Sequence, residues 1–151
     1  MYKKKHVINI LMAEDDPEDR MLVKEAWEES HLINNLNFVC DGEELMDYLY
    51  HRNGYEDVSA YPRPELILLD LNMPKKDGRE ALREIKSDDD LKDIPVVILT
   101  TSKAEEDILK SYNLGANSFI TKPVTFESMV NVIKTLAKYW FEIVALIPDG
   151  E

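Results

Sequence analysis

The chain has 151 residues, 44% hydrophobic and 32% charged, which suits one compact domain with a real core and excludes a disordered chain. Asp and Glu number 30 against 18 Lys and Arg, a formal net charge of -12, so nucleic acid and anionic membrane surfaces are excluded as ligands. The lone cysteine, Cys40, permits no internal disulfide and fits a reducing compartment, the cytoplasm; its apolar setting predicts a small buried side chain.

From the N-terminus, Lys3, Lys4 and Lys5 precede the apolar run Val7–Ala13, a superficial likeness to a signal peptide. Asn9 interrupts that run, which meets Glu14, Asp15 and Asp16 with no small-residue cleavage site, so secretion is rejected. The run reads as a first strand. Asp16-Pro17 then gives an N-cap and a proline at the first helical position of a helix carrying Met21, Leu22, Glu25, Ala26 and Trp27 and ending near Ser30. Leu36–Cys40 is a weaker apolar run and a second strand. Asp41-Gly42-Glu43-Glu44 has capping-box spacing before Leu45, Met46 and Leu49. Arg52–Pro64, with Gly54, Pro62 and Pro64, reads as a long irregular loop.

Leu66–Leu69 and Val96–Leu99 are short aliphatic runs bounded by acid or proline, as strands buried on both faces require. Between them Gly78–Lys86 sets Ala81, Leu82 and Ile85 on one helical face. Ser102–Glu105 is a second capping box, before Ile108, Leu109 and Tyr112, and Gly115 is a left-handed cap ending that helix. Ser118–Thr121 gives a fifth strand and Thr125 starts the last helix. Strand and helix thus alternate five times, which specifies an α/β sheet with right-handed crossovers. His6, His31 and His51 show no catalytic spacing and read as surface or loop residues.

In an open parallel sheet, ligands bind beyond the carboxyl ends of the strands. After the first strand come Glu14, Asp15 and Asp16; after the third, Asp70; after the fourth, Thr100 and Thr101; after the fifth, Lys122-Pro123. Carboxylates gathered in one cleft repel, and a divalent cation relieves the conflict. Oxygen ligands without His or Cys select Mg²⁺, or Mn²⁺, over zinc. A carboxylate beside a metal, with an ammonium and a hydroxyl opposite, is what phosphoryl transfer needs.

With these motifs in view, the sequence resembles the receiver domain of two-component response regulators. The matching elements are Glu14-Asp15, Asp70 within Leu68-Leu69-Asp70-Leu71-Asn72-Met73-Pro74, Asp77-Gly78, Thr100 within Ile98-Leu99-Thr100-Thr101, and Lys122-Pro123. The resemblance covers essentially the whole chain and implies one receiver domain over residues 1–151, with a core at about 6–144 and an apolar tail at 145–151. It implies a flavodoxin-like, doubly wound, five-stranded parallel sheet in the order 2-1-3-4-5. Asp70 would be the phosphorylation site. Asp15 and Asp70 would bind Mg²⁺ directly, Glu14 through water, and the backbone carbonyl of Asn72 would complete the set. Thr100 and Lys122 would contact the phosphoryl group, and Thr100 and Phe119 would form the switch. Phe119 can equally be read as a plain core aromatic. A cis peptide is the family's habit at the position of Lys122-Pro123.

The same resemblance implies a sensor histidine kinase as phosphodonor, self-catalysed phosphorylation and dephosphorylation with no other enzymatic activity, and output through a phosphorylation-dependent protein surface. The long loop and the aromatic end of the chain are similar to single-domain regulators paired with bacterial phytochromes, which implies a photoreceptor kinase as partner. From Leu136 to Val144 only Lys138 and Glu142 are charged, and Leu146 and Ile147 extend the patch. Such a helix needs cover, from a second copy of the chain or from its own domain; a homodimer is expected.

Three rivals stand beside this reading. A haloacid-dehalogenase-type phosphatase needs a second acid two positions after the nucleophile, where this chain has Asn72. A flavodoxin-like electron carrier needs a phosphate loop where Glu14, Asp15 and Asp16 stand. A degenerate receiver would lack one of the chemical positions, and all are filled here.

Overall fold

The computed structural model describes residues 8–30, 34–100, 113–116, 118–123 and 125–138, without the side chains of Ile8, Asn34 and Thr100. Five parallel strands form one sheet: β1 (Ile8–Ala13), β2 (Asn34–Val39), β3 (Leu66–Leu69), β4 (Val96–Thr100) and β5 (Ser118–Thr121). Their order is β2-β1-β3-β4-β5, with β1 flanked by β2 and β3. Four helices are described: α1 (Pro17–Glu29), α2 (Gly42–Leu49), α3 (Gly78–Ser87) and α4 (Phe126–Lys138). The helix expected from Ser102 lies outside the described residues, although Gly115, at φ +103°, has the left-handed conformation expected of its cap.

Successive strand residues point to opposite faces of the sheet, and both faces are covered. Ile10 and Met12 of β1, with Leu66 and Leu68 of β3, pack against Val23, Ala26 and Trp27 of α1 and Met129, Val130 and Ile133 of α4. Leu11, Ala13, Ile67 and Leu69 face the other way, onto Leu45, Met46 and Leu49 of α2 and Ala81, Leu82 and Ile85 of α3. Burying each such aliphatic side chain stabilises the fold by roughly 1.5–3 kcal/mol. The double burial explains why β3 is apolar at every position, and β1 and β4 at every position but Asn9 and Thr100.

The helix starts follow their caps. The Asp16 carboxylate accepts from the Glu18 N–H (2.9 Å), that of Asp41 from the Glu44 N–H (2.8 Å), and that of Asp77 from the Arg79 and Glu80 N–H groups (2.9 and 3.1 Å). The Thr125 hydroxyl accepts from the Ser128 N–H at 3.1 Å, so Thr125 precedes the last helix as expected. Val23, Ala26 and Trp27 of α1 face inward, whereas Met21 is 60% exposed.

Two details differ from the sequence reading. Cys40 is exposed, not buried, because β2 ends at Val39 and the chain has already turned toward the Asp41 cap. The Lys122–Pro123 peptide is trans, since no cis peptide occurs among the described residues. The Arg52–Pro64 loop carries no helix or strand, as expected, and aromatic side chains pack it down. Tyr55 and Tyr61 stack edge-on at 4.7 Å between ring centroids and both pack on Tyr48 of α2. The Tyr48 hydroxyl donates to the Pro62 carbonyl (3.0 Å), Tyr55 donates to Glu44, and a His51 ring nitrogen meets the Tyr61 carbonyl at 2.8 Å. His51 is thus a loop residue as expected, while His6 and His31 lie outside the described residues.

α2 also meets the loop that follows β3 with no space between them. A Cβ on Gly42 would lie 1.9 Å from the Lys76 carbonyl oxygen. No helix among the described residues is long and apolar enough to cross a membrane.

Candidate functional site

The carboxyl ends of β1, β3 and β5 converge on one pocket. The Glu14 N–H continues the β1–β2 ladder by donating to the Val39 carbonyl (2.9 Å), and the Asp70 N–H donates to the Ala13 carbonyl (3.1 Å). Backbone pairing therefore sets both acids side by side at the carboxyl end of the sheet. Glu14 (1% exposed) and Asp70 (5%) are buried, while Asp15 is exposed at the rim. Carboxylate oxygens of Glu14, Asp15 and Asp70 lie within 4.8 Å of one another.

Lys122, 7% exposed, closes the inner side. Its Nζ donates to Glu14 Oε1, to Asp19 Oδ2 (3.0 Å) and to Asp70 Oδ2 (3.2 Å). An ammonium has three N–H donors, and each has a carboxylate here. Burial favours the neutral amine, but the hydrogen bonds from Glu14 and Asp19 and the charge of Asp70 prevail and hold Lys122 above its ordinary value, fully charged. Burial pushes the Glu14 carboxyl well above the usual carboxylate range; the Lys122 hydrogen bond opposes this, and Asp70 adds to it.

Local hydrogen bonds fix the acids. Asp70 Oδ1 accepts from the Asn72 N–H at 3.0 Å, which folds the following loop back over the carboxylate. Glu14 Oε2 accepts from the Asp16 N–H (3.2 Å), and the Arg20 guanidinium donates to the Glu14 carbonyl (2.7 Å). Behind Asp70, the Gly78 N–H donates to the Leu71 carbonyl (3.0 Å). A Cβ on Gly78 would sit 2.3 Å from the Asp70 carbonyl oxygen, so only glycine lets α3 begin this close to the acid.

Of the residues singled out from sequence, Glu14, Asp15, Asp70 and Lys122 meet, with Asn72 bound to Asp70 through its backbone N–H. Thr100 ends β4, its backbone in register with Thr121, and its side chain lies outside the described residues. Phe119 is half-buried on β5 and packs against the core cluster on the α2–α3 side. Asp19 was missed. Its position in the first turn of α1, three residues past the Asp16 cap, places it at the same end of the sheet and is the clue that could have found it.

Chemically, the pocket joins two hard-oxygen acids, a third acid at the solvent edge and a buried ammonium. Three convergent carboxylates, with no His or Cys donor in the group among the described residues, suit Mg²⁺, and equally Mn²⁺.

The family model described as response regulator receiver domain matches residues 10–134. Among curated proteins, the chain is 44% identical to the response regulator Rcp1 of Synechocystis sp. (strain ATCC 27184 / PCC 6803 / Kazusa) over 137 residues, 91% of each chain. Among solved structures it is similar to the phosphorylated cyanobacterial phytochrome response regulator RcpA, with 43% identity and TM-score 0.82 over 90% of this chain and 95% of that one. The Mn²⁺-bound form of Rcp1 matches with 43% identity and TM-score 0.80 over 90% and 96%.

Proposed function

This chain belongs to the response regulator receiver family, and from that premise we propose that Asp70 is the residue it phosphorylates. The carrying observation is the contact of a buried lysine with a buried strand-end aspartate, Lys122 Nζ to Asp70 Oδ2 at 3.2 Å. Receiver domains signal by phosphorylation and bind Mg²⁺, and the donor set at this pocket fits that ion.

An Asp70 carboxylate oxygen attacks the phosphorus of a phosphohistidine on a sensor kinase. The new O–P bond forms as the P–N bond breaks, and the electron pair leaves with the imidazole. Lys122 meets the negative charge on the transferred group, as a buried ammonium does more strongly than an exposed one. Asp15 and Asp70 are assigned as direct metal ligands, Glu14 through water, and Asn72 through its backbone carbonyl; when bound, the ion neutralises charge on the phosphoryl oxygens. Thr100 is assigned to the phosphoryl group and, with Phe119, to the switch; Phe119 is half-buried on β5 against the core.

The kinase partner we assign is a phytochrome-type photoreceptor, supported by the similarity to RcpA. The chain acts as one receiver domain over residues 1–151, in keeping with its coverage of 91% of Rcp1. It turns over no substrate beyond its own phosphoryl group, works in the cytoplasm, binds neither nucleic acid nor membrane, and pairs with a second copy through residues 136–147. That last segment lies outside the described residues from 139 onward; its support is the apolar sequence, and Leu136 and Ala137 are already buried on the domain.

Incubation with acetyl phosphate and Mg²⁺, followed by intact mass measurement, tests the central assignment. Wild type gains one phosphoryl mass and Asp70→Asn gains none. A variant that is still modified moves the acceptor elsewhere.

A further inference from the structure

Lys122 carries one contact that its role does not require. Of the three carboxylates around its Nζ, Glu14 and Asp70 belong to the trio whose oxygens lie within 4.8 Å of one another. Asp19 does not; it reaches the ammonium from α1, at 3.0 Å, from outside that trio. The two residues are 103 positions apart in the chain, so this contact spans the fold.

We propose that Asp19 is a positioning residue that tethers the Lys122 ammonium beside Asp70, resting on the assignment of Asp70 as phosphoryl acceptor. A lysine carries a point charge on a flexible stem and loses rotamer entropy when fixed. Glu14 and Asp70 can hold it only while their oxygens are free to accept its hydrogen bonds. Asp19 offers an acceptor that a divalent cation on the trio does not claim, so the ammonium keeps its aim when the other two carboxylates turn to that cation. Asp19 is itself fixed: it stands in the first turn of α1, where the Asp16 cap and Pro17 set the backbone. Its side chain is 30% exposed, so solvent screens the pair only in part.

A plainer role exists, since any acid in the first turn of a helix is favoured by the helix dipole. Glu18, its exposed neighbour in the same turn, shares that role but is not one of the three carboxylates described around the Lys122 ammonium. The comparison of the two separates tether from dipole.

The test measures phosphorylation of the full chain by acetyl phosphate with Mg²⁺, as a function of donor concentration, for wild type, Asp19→Asn, Asp19→Glu, Glu18→Gln, Lys122→Gln and the double variant Asp19→Asn/Lys122→Gln. Asp19→Asn should lower the rate at saturating donor roughly tenfold with KM little changed, Asp19→Glu should recover part of it, and Glu18→Gln should stay within about twofold of wild type. In the Lys122→Gln background, Asp19→Asn should cost nothing further, which is the mark of two residues acting through one contact. Equal losses for Asp19→Asn and Glu18→Gln, or the same loss with Lys122 absent, overturn the tether. A second readout uses urea unfolding of the metal-free proteins, where the Asp19 and Lys122 midpoint shifts should fail to add; additive shifts overturn it as well. Were wild type to take no phosphoryl group, the acceptor assignment would fall, and the urea cycle would still decide whether Asp19 holds Lys122.

Discussion

The Lys122 ammonium and the Asp70 carboxylate, 52 positions apart in the chain, lie 3.2 Å from each other inside the protein, with Glu14 on the same Nζ. This buried triad organises the site, and its charges can be tested one at a time.

Asp70→Asn removes the proposed nucleophile and a proposed metal ligand while nearly keeping the shape. Acetyl phosphate should leave its intact mass unchanged, and calorimetric titration should show Mg²⁺ bound at least tenfold more weakly, in line with the loss of a coordinating oxygen. Asp15→Asn should weaken Mg²⁺ similarly and leave Asp70 in place. Undiminished Mg²⁺ affinity in both would mean that the ion sits elsewhere.

Lys122→Met leaves Glu14 and Asp70 buried without their cation. Removing one partner of a buried ion pair costs about 3–5 kcal/mol, and the cost should fall at the low end because Glu14, already held above the usual range, can take a proton. Urea unfolding in chelator should show the loss, and Mg²⁺ should restore part of it by binding only the folded chain. An unchanged midpoint would show that the lysine is dispensable to the fold.

Gly78→Ala tests the close approach behind Asp70, the proposed acceptor. The new methyl would meet the Asp70 carbonyl oxygen at 2.3 Å, so the backbone must shift. Overpacking of this kind costs roughly 1–3 kcal/mol, and the displaced Asp70 should accept phosphoryl more slowly. Wild-type stability and rate together would mean that the turn relaxes freely.

Alkaline pH should destabilise the fold through its tyrosines. Burial, with hydrogen bonding to Asp88, pushes the Tyr50 hydroxyl up to about 12; burial also raises Tyr48, and burial with Glu44 raises Tyr55. In each the folded value exceeds the unfolded one of about 10, so the contribution is complete below pH ~10 and is lost as pH climbs through the folded value. Absorbance near 295 nm should show these tyrosines ionising late, together with loss of structure. Ordinary titration of all seven tyrosines in a folded protein would contradict this.

Sedimentation equilibrium tests pairing through the apolar end of the chain. Wild type should behave as a dimer, and Phe141→Glu should shift it to a monomer with unchanged phosphorylation. A monomeric wild type would leave the segment to cover its own domain.

The fold was legible wherever burial is two-sided. Leu66–Leu69 is β3 to the residue, the described part of Val7–Ala13 is β1, and Val96–Leu99 stops one residue short of the end of β4. β2 was harder because it is an edge strand. Its Asn35 side chain donates outward to Asn9 (3.0 Å), so polar residues replace the apolar run, and Cys40 was drawn into the strand in their place. The site was legible because its acids and lysine stand immediately after strands. Asp19 was not, since one acid among several on a helix surface carries no mark until Lys122 is known to reach it. The tyrosine cluster was hidden for a similar reason: Tyr48, Tyr55 and Tyr61 meet only when the loop folds back on α2.

The bare contact between Gly42 and the Lys76 carbonyl makes α2 and the loop after Asp70 a single mechanical unit. With no slack between them, a nudge to one is delivered to the other, and the Tyr48 and Tyr55 hydroxyl bonds carry it onward to the far loop. A shift of the loop that follows Asp70 would therefore reach the stretch from Tyr55 to Pro62 as well.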